Sequence, residues 1–399
     1  MVDNLYTSCD FTSHAFKKAL SRKPADGGLN IGRLVFADDF ERFMGKPYKD
    51  ALAELTGSSP NSRNLGGCSL VSLAHAAQIL QGISDVRFFG VRGNSDAENG
   101  AMDFFENAIK TIPFKKCRLA KKELPFPGTD VLSDPDYDNG HGERTFICQP
   151  GAGKLLSPAD IDDDFFAADI IGFGGTALVP HIHNNLTELL KRAKAAGAIT
   201  VINLVYDFFS ELKTPGQKWK LGANDDAYPF IDVLIADKDE AIKTSGASSV
   251  SDAIRWFISQ GAGAVIVTEG SRSVTLAASP HKASGGVFSP VEIISLPVCE
   301  EIDRELAAHP ERRGDTTGCG DNFAGGVIVS IAEQLAAAQK GRLDLRECVI
   351  HGTAAGGFSC FTAGGAFIES HPGEKRKRLE VYINAYRKQL VSREYLFPV

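Results

Sequence analysis

The middle of the chain alternates between short apolar runs and longer amphipathic segments, and this order restricts the fold more than any other sequence feature. The pattern predicts strands at residues 169–173, 199–205, 233–236, 264–268 and 274–278. It predicts helices at 186–196, 237–244 and 250–260. Strands separated by helices pair mainly in parallel, because a parallel connection must cross over the face of the sheet. The sequence therefore predicts an α/β fold with a central, mostly parallel sheet and helices on both faces.

Further elements are predicted on either side of this alternation. Before it come a helix at 69–80, a strand at 86–90, a helix at 98–109 and an edge strand at 144–148. After it come helices at 321–338, 346–361 and 374–390, and long loops are predicted at 213–228 and 279–313. The first sixty residues show no clear periodicity. We therefore divide the chain into an N-terminal elaboration, 1–60, and a main domain, 61–399.

Charge and cysteine usage argue against several classes of protein. The chain of 399 residues has 43 basic and 50 acidic side chains, a formal net charge of −7. This balance argues against a duplex nucleic-acid binder, because phosphate contacts need a basic excess. The eight cysteines form no C-x-x-C pair, which argues against a zinc ribbon. The sequence has neither an apolar run of membrane-spanning length nor a secretory signal pattern, so we expect a cytoplasmic location.

The segment GDTTGCGD, residues 314–321, carries the strongest chemical signal. It is a glycine-rich loop that leads directly into an apolar helix. Such a turn directs several backbone N–H groups and the positive end of the helix dipole towards one point, which suits a phosphoryl group. Asp321 lies in the first turn of that helix. Its carboxylate either caps the helix and compensates its dipole or acts as a general base beside an anion hole.

Residues 315–321, DTTGCGD, resemble the D-T-x-G-A-G-D signature of the PfkB family of carbohydrate kinases, with Cys319 in place of the usual Ala. The resemblance implies a ribokinase-like fold with a small β lid, to which residues 1–60 contribute the lid or part of the substrate region. It implies transfer of the γ-phosphate of ATP to a hydroxyl of a small sugar-like substrate, with Mg²⁺. Asp321 would be the catalytic base, and the backbone of Gly318, Cys319 and Gly320 would form the anion hole.

Three more segments resemble the family, and together with the signature they cover roughly residues 64–370. The turn at 66–69 resembles the sugar-binding glycine turn, the loop 90–100 resembles the family's G-x-x-G-x-D-x-x-G loop, and residues 265–272 resemble the strand and turn that hold the nucleotide. The resemblance implies nucleotide contacts from Thr268, Gly270 and Asp237. It implies substrate contacts from Gly66, Gly67, Asp96 and Asp321.

The sequence also departs from the family. Val71 stands where the family usually has Asn, which puts the identity of the sugar in doubt. The family's N-x-x-E motif for the magnesium hydration shell is D-x-x-E here, with Asp237 and Glu240; these two carboxylates could instead simply begin a solvated helix. The family's usual first strand, which carries a substrate-binding Asp, is not identifiable in this sequence. We expect the segment DGGLN at 26–30 to take its place. Asp315 and Thr317 either complete a turn or contribute to a monovalent-cation site for K⁺.

Other functions remain open at this stage. One alternative is a non-catalytic relative that binds a sugar or nucleotide, and another is a nucleoside kinase of the same fold. The segment GFGGTA at 172–177 fits the G-x-G-x-x-A pattern of a nicotinamide-dependent oxidoreductase, with Asp207 as the ribose carboxylate. His181 and His183 could be two metal ligands on one face of an extended segment, but no cysteine or acidic cluster lies close to them in the sequence. The predicted partners are a small-molecule substrate and, through open edge strands, a second copy of the chain in a homodimer.

Overall fold

The computed structural model describes residues 1–57, 59–94, 100–140, 142–280, 286–337 and 341–393. The strands are β1 (Val2–Tyr6), β2 (Leu34–Phe36), β3 (Ser62–Leu65), β4 (Arg87–Arg92), β5 (Lys116–Lys121), β6 (Gly128–Asp134), β7 (Glu143–Gln149), β8 (Ile170–Gly174), β9 (Ile199–Asn203), β10 (Val233–Asp237), β11 (Ala264–Thr268), β12 (Ser273–Ala278) and β13 (Val291–Pro297).

The helices are numbered separately, also in chain order. None of the described helices is both long enough and apolar enough to cross a membrane. They are α1 (His14–Ala19), α2 (Ala37–Met44), α3 (Tyr48–Thr56), α4 (Cys68–Ile79), α5 (Ala101–Ile109), α6 (Tyr137–Gly140), α7 (Asp163–Phe166), α8 (Pro180–Asn184), α9 (Leu186–Ala195), α10 (Phe208–Lys213), α11 (Lys238–Ser245), α12 (Val250–Ser259), α13 (Glu300–Ala308), α14 (Cys319–Ala336), α15 (Leu345–Phe358) and α16 (Glu374–Ser392).

A six-stranded sheet forms the centre of the molecule, in the order β13-β12-β11-β10-β9-β8. Strands β8 to β11 run parallel, and β12 and β13 are antiparallel to their neighbours. Side chains of β11 alternate between two cores: Ile266 packs with α14 and α15, whereas Val265 packs with α9 and α12. Both faces are therefore buried, which explains the continuous apolar runs. The predicted α/β fold with helices on both faces is confirmed.

A second sheet of five strands, in the order β2-β7-β6-β1-β3, lies over one end of this core. Its residues Leu132 and Ile147 pack under helices α1 to α3, while Phe146 and Cys148 face a cavity on the opposite side. The strand predicted at 144–148 is β7, and it lies between β2 and β6 rather than at an edge. That prediction was wrong because β2 comes from the N-terminal segment, where no strand was assigned.

Two other segments have more structure than predicted. The first sixty residues supply β1 and β2, and β1 lies in the interior of the five-stranded sheet. All five residues of β1 are buried, so the strand has no alternation to detect. The predicted loop 279–313 contains β13 and α13 in its described part. Whether residue 60 marks a domain boundary stays a prediction.

Candidate active site

A cavity of about 520 Å³ lies between the two large sheets. Its floor is formed by the carboxyl ends of the parallel strands, including Gly174 at the end of β8 and Asp237 at the end of β10. Asp3 of β1 lines it from the five-stranded sheet, and Asp321 lines it from the start of α14. Open parallel sheets bind ligands at this edge, because the loops after the strands converge there.

The N-terminus of α14 lies at the cavity, as the glycine-rich loop predicts. Gly318 precedes the helix with a φ of 75°, and a Cβ there would lie 2.7 Å from the Cα of Gly365. Glycine is therefore required by both its backbone angle and its close neighbour. Asn322 Nδ2 donates to the carbonyl oxygens of Gly318 (2.9 Å) and Gly365 (2.8 Å), which joins the two loops. The first N–H groups of α14 have no partner within the helix. The backbone N of Cys319 donates to the carbonyl oxygen of Thr316 at 3.3 Å, and an anion at this helix end would compete with that bond.

Asp321 does not cap its own helix. The cap residue Gly318 has no side chain to offer, and Asp321 Oδ1 instead accepts a hydrogen bond from Asn203 Nδ2 at 3.3 Å. Burial raises the pKa of Asp321 to about 6, and hydrogen bonds from Cys68 and Asn203 oppose this rise. Ser72 Oγ lies 2.8 Å from the carbonyl oxygens of both Cys68 and Asp321, which holds α4 against α14. The geometry therefore favours a carboxylate that faces a ligand over one that only stabilises a helix end.

Sequence reasoning missed the acidic residue of the first strand, which is Asp3. Its carboxylate lies directly against Gly66, and burial raises its pKa to about 7, with a further contribution from Asp321. The segment 26–30 does not replace it: that segment lines a neighbouring cavity, and Asp26 accepts bonds from nearby backbone N–H groups in its own turn. Asp3 lies in the short segment VDNLY, where an acidic residue next to Asn4 gives no pattern that would identify a buried strand.

The glycine turn before α4 lies at the cavity as predicted. Gly66 and Gly67 both line it, and Gly67 precedes the helix with a φ of 96°. Ser69 Oγ accepts from the backbone N of Gly174 (2.9 Å), so the turn is fixed to the end of β8. Val71 is buried and lies under the backbone of Gly365, which accounts for an apolar residue at this position. Asp96 lies outside the described residues.

The residues implied for the nucleotide are only partly at the cavity. Asp237 lines it, whereas Thr268 and Gly270 do not. Thr268 pairs with Asp237 across β10 and β11, so it lies one strand further from the cavity. Gly270 is in the turn that follows, with a φ of 56°. These two residues stay predictions for a nucleotide that extends beyond the cavity along the ends of the strands.

Asp237 and Glu240 form a reciprocal capping box at the start of α11. Asp237 Oδ1 accepts from the backbone N of Glu240, and Glu240 Oε2 accepts from the backbone N of Asp237, both at 2.8 Å. Burial and then the charge of Asp237 raise the pKa of Glu240 well above its ordinary value. A cation here would relieve that repulsion, and oxygen donors suit Mg²⁺. No group of three or more potential metal ligands occurs among the described residues, so a magnesium ion would keep several of its waters.

Asp315 and Thr317 both complete a turn and present buried oxygen atoms. Asp315 Oδ1 accepts from the backbone N of Thr317 (2.9 Å) and of Gly364 (3.2 Å). Asp315 Oδ2 and Thr317 Oγ1 are buried without a hydrogen-bond partner in the described part of the chain. Buried oxygens without partners are costly, so a bound cation is compatible with this position. Both interpretations of the two residues therefore remain.

Two arginines that no sequence motif marks reach the cavity from the five-stranded sheet. Arg144 Nη2 donates to the carbonyl oxygen of Thr316 at 3.2 Å, just before the anion-hole residues. Arg33 donates to Tyr206 Oη at 2.7 Å, and its guanidinium lies 3.9 Å from Asp239. These contacts join the two sheets across the cavity, and they bring positive charge to a lining that also contains Asp3, Asp237 and Asp321.

The competing motifs have structural roles. Asp207 caps α10 through the backbone N and hydroxyl of Ser210, and so is already satisfied. His183 Nε2 accepts from the backbone N of Gly222, and its Nδ1 lies 3.2 Å from Thr176 Oγ1. His181 is exposed in α8 and belongs to no metal cluster among the described residues. The geometry thus gives no support to a ribose carboxylate at 207 or a metal pair at 181 and 183.

Comparison with known sequences identifies one family and one curated relative. The model of the pfkB family carbohydrate kinase matches residues 137–371. A fructokinase from Vibrio alginolyticus is 25% identical over 210 residues, which cover 51% of this chain and 58% of the fructokinase. The match therefore spans somewhat more than half the length of that relative.

Solved structures with the same fold include kinases of different acceptors. An adenosine kinase from Schistosoma mansoni, solved with adenosine in an occluded loop conformation, aligns over 96% of both chains with a TM-score of 0.65 and 16% identity. A protein from E. coli assigned as a ribokinase II, solved with ATP and Mg²⁺, aligns over 82% of this chain and 92% of its own, with a TM-score of 0.58 and 16% identity. The chain therefore has the fold of ribokinases and adenosine kinases.

Proposed function

Because the chain belongs to the pfkB family of carbohydrate kinases, we propose that it transfers the γ-phosphate of ATP to a hydroxyl of a small sugar or nucleoside. The observation that carries this proposal is the position of Asp321. Its carboxylate faces the cavity beside the N-terminus of α14, while Gly318 occupies the N-cap position of that helix. Phosphoryl transfer needs a base that accepts the proton of the hydroxyl and donors that stabilise the charge of the transferred group, and both lie together here.

In this proposal Asp321 accepts the proton of the acceptor hydroxyl as its oxygen attacks the γ-phosphate in line. Asn203 holds the carboxylate in place through its bond to Oδ1. The backbone N–H groups of Gly318, Cys319 and Gly320 stabilise the charge on the transferred group, and the N–H of Cys319 first releases its 3.3 Å bond to the carbonyl oxygen of Thr316. Asp3, across the cavity from Asp321, orients the acceptor. The transfer is direct, with no phospho-enzyme.

Mg²⁺ would be held near Asp237 and Glu240 through waters and phosphate oxygens, and would neutralise phosphate charge when bound. Thr268 and Gly270 would contact the nucleotide, and Asp315 and Thr317 would hold a monovalent cation such as K⁺. Thr268 and Gly270 are supported by the resemblance of residues 265–272 to the family's nucleotide-holding strand and turn. Asp315 and Thr317 are supported by the family signature and by the buried oxygens described above. A homodimer and a cytoplasmic location stay predictions.

A nucleoside is the second candidate acceptor, and the lining of the cavity favours testing it beside sugars. The side chains of Phe36, Phe89, Phe165 and Phe173 all line the cavity. Phe89 and Phe165 meet edge to face, with ring centroids 5.3 Å apart. Aromatic walls suit a planar base more than a bare sugar, because rings stack and exclude water.

The test is a panel of sugars and nucleosides with ATP and Mg²⁺, read by ADP release. We expect turnover with at least one acceptor. Asp321→Asn should lower kcat on the order of 10²–10⁴-fold, because the amide cannot accept the proton. Asp252→Asn is the matched control, since Asp252 lies in the first turn of α12, away from the cavity. Turnover of Asp321→Asn near the wild-type rate would reject Asp321 as the base. Failure to phosphorylate any acceptor that binds would favour the non-catalytic relative.

A further inference from the structure

Two cysteine side chains meet beneath the glycine-rich loop. The Sγ atoms of Cys319 and Cys360 are 3.7 Å apart, and both residues are partly exposed. Cys319 is the first residue of α14, and Cys360 lies in a short 3₁₀ turn that follows α15. The two thiols are 41 positions apart in sequence, so the fold rather than local chain geometry brings them together.

Cys319 has the surroundings of a reactive thiol. It lies at a helix N-terminus, where the helix dipole favours a thiolate. Ser359 Oγ lies 3.1 Å from Cys319 Sγ. In contrast, burial and the charge of Asp321 raise the pKa of Cys68, so that thiol is held protonated.

We propose that Cys319 and Cys360 form a site of reversible oxidation that closes to a disulfide when the protein meets a hydroperoxide. The Cys319 thiolate attacks one peroxide oxygen, the O–O bond breaks, and a sulfenic acid and one water form from hydrogen peroxide. The Cys360 thiol then attacks the sulfenic sulfur, and a second water leaves as the S–S bond forms. Two thiols are oxidised and one peroxide is reduced, so the step balances.

We expect disulfide formation to move the anion hole, because the two segments that carry the cysteines are already in tight contact. The backbone N of Gly314 donates to the carbonyl oxygen of Cys360 at 2.8 Å, and that of Asp315 donates to Thr362 at 3.2 Å. A Cβ at Gly314 would lie 2.2 Å from Thr362 O, so little free space separates the chains. A disulfide needs about 2.05 Å between sulfurs. The sulfurs, now 3.7 Å apart, must approach each other, and we expect residue 319, whose backbone belongs to the proposed anion hole, to shift as they do.

The consequence for activity rests on the proposed function, whereas the oxidation itself does not. We expect the oxidised protein to transfer phosphate more slowly, on the order of 10²-fold, as when an oxyanion-hole donor is lost. Reduction with dithiothreitol should restore the rate. The site thus makes phosphoryl transfer sensitive to peroxide through the one signature position where Cys319 replaces the family's usual small residue.

The experiment treats the full chain with hydrogen peroxide, removes the excess with catalase and alkylates the remaining thiols. Peptide mass spectrometry without reduction should find the peptides of Cys319 and Cys360 cross-linked, with the loss of two hydrogen atoms. Cys360→Ser should form no such cross-link and should lose less of its own activity at the same peroxide dose. Cys117→Ser, which removes an exposed cysteine elsewhere, should respond as the wild type does.

The outcomes separate this proposal from the proposed function. Absence of the cross-link in the wild type would overturn the oxidation site. A cross-linked protein that is as active as the dithiol form would overturn the effect of the disulfide on activity. If the reduced protein phosphorylates no acceptor, the kinase proposal fails, but the cross-link still tests the oxidation. Equal peroxide sensitivity of the wild type and Cys360→Ser would show that the loss of activity arises at another thiol and would overturn the proposed switch.

Discussion

The carboxylate of Asp3 lies directly against the backbone of Gly66: a Cβ built on Gly66 would lie 2.1 Å from Asp3 Oδ1. The pair joins β1 to the turn before α4, since β1 and β3 are antiparallel neighbours and Val2 is opposite Leu65. A side chain at residue 66 cannot coexist with this position of the carboxylate. The glycine turn and the acidic residue of β1 therefore form one unit, although sequence reasoning found only the turn.

Gly66→Ala should disturb acceptor binding through this contact. The added methyl group must displace the Asp3 carboxylate, and a misplacement of about 1 Å can cost on the order of 10²-fold in rate. We expect kcat/KM for the acceptor to fall by about that factor, with most of the change in KM. Steady-state kinetics at varied acceptor concentration measure it.

Gly128→Ala is the control for that substitution. Gly128 lies in β6 beside the same strand, and its added Cβ would meet only Val2 O at 3.5 Å, an ordinary contact. A Gly66→Ala enzyme with unchanged acceptor kinetics would show that the position of Asp3 does not matter for binding.

The pKa of Asp321 predicts the acid limb of the pH profile. Burial raises this pKa to about 6, and only the ionised carboxylate accepts a proton. As the pH falls below about 6, kcat/KM should decline by up to about tenfold per unit, because a growing fraction of the enzyme carries a protonated base. Asp3, with a pKa of about 7, would add a second limb if the acceptor requires its ionised form.

Initial rates across the folded pH range test this prediction, with circular dichroism to verify folding at each pH. The residual activity of Asp321→Asn should lack the limb assigned to residue 321. A flat wild-type profile through pH 6 would contradict a carboxylate base with the pKa given above.

The part of the fold that was predicted correctly is the part with a physical signature in the sequence. Strands β8 to β11 are buried on both faces, so each is a short apolar run between amphipathic helices. The loop at 314–321 was identified because glycines and an early acidic residue mark a helix end that binds anions. The structure places Gly318, Gly66 and Asp321 together as expected from these motifs.

The missed features depend on contacts between distant segments. Strand β1 contains two polar residues, and its burial arises from neighbours at β3 and β6, which no local pattern encodes. Arg144 was read only as part of a strand, yet its guanidinium reaches the carbonyl of Thr316, 172 positions away. No sequence pattern relates Cys360 to Cys319, because the two residues come together only through the packing of α15 against α14. Tertiary packing decides such positions, so periodicity and spacing do not reveal them.

Glu240→Gln should weaken the binding of magnesium without loosening α11. Glutamine can still accept the bond from the backbone N of Asp237, so the capping box persists. Burial already penalises the Glu240 charge, so its neutral analogue should not destabilise the fold at neutral pH. We expect the Mg²⁺ concentration for half-maximal rate to rise severalfold, because negative charge near the cation is lost.

A magnesium titration of the initial rate measures that shift. Glu374→Gln is the control, since Glu374 accepts bonds from Ser370 at the start of α16 and does not line the cavity. An unchanged magnesium dependence in Glu240→Gln would remove Glu240 from the proposed metal region, and the residue would then only cap its helix.

Lys375 is buried behind the glycine-rich loop and links three parts of the molecule. Its side chain in α16 donates to Gln78 Oε1 of α4 (3.1 Å) and to Asn322 Oδ1 of α14 (3.3 Å). Asn322 in turn holds the carbonyl oxygen of Gly318. Burial lowers the pKa of Lys375 from 10.5 to about 7. The lysine is therefore easier to deprotonate in the folded protein than in the unfolded chain.

The depressed pKa of Lys375 predicts how the free energy of unfolding changes with pH. Between the folded value of about 7 and the unfolded value of 10.5, the unfolded chain binds a proton that the folded protein lacks. Stability attributable to this group should therefore rise with pH across that window, by up to about 1.4 kcal/mol per unit. Lys375→Met should lose this slope, whereas Lys377→Met, at an exposed site on the same helix, should keep it. Denaturant unfolding at a series of pH values measures both, and a wild-type slope in Lys375→Met would mean that Lys375 is not the group that titrates.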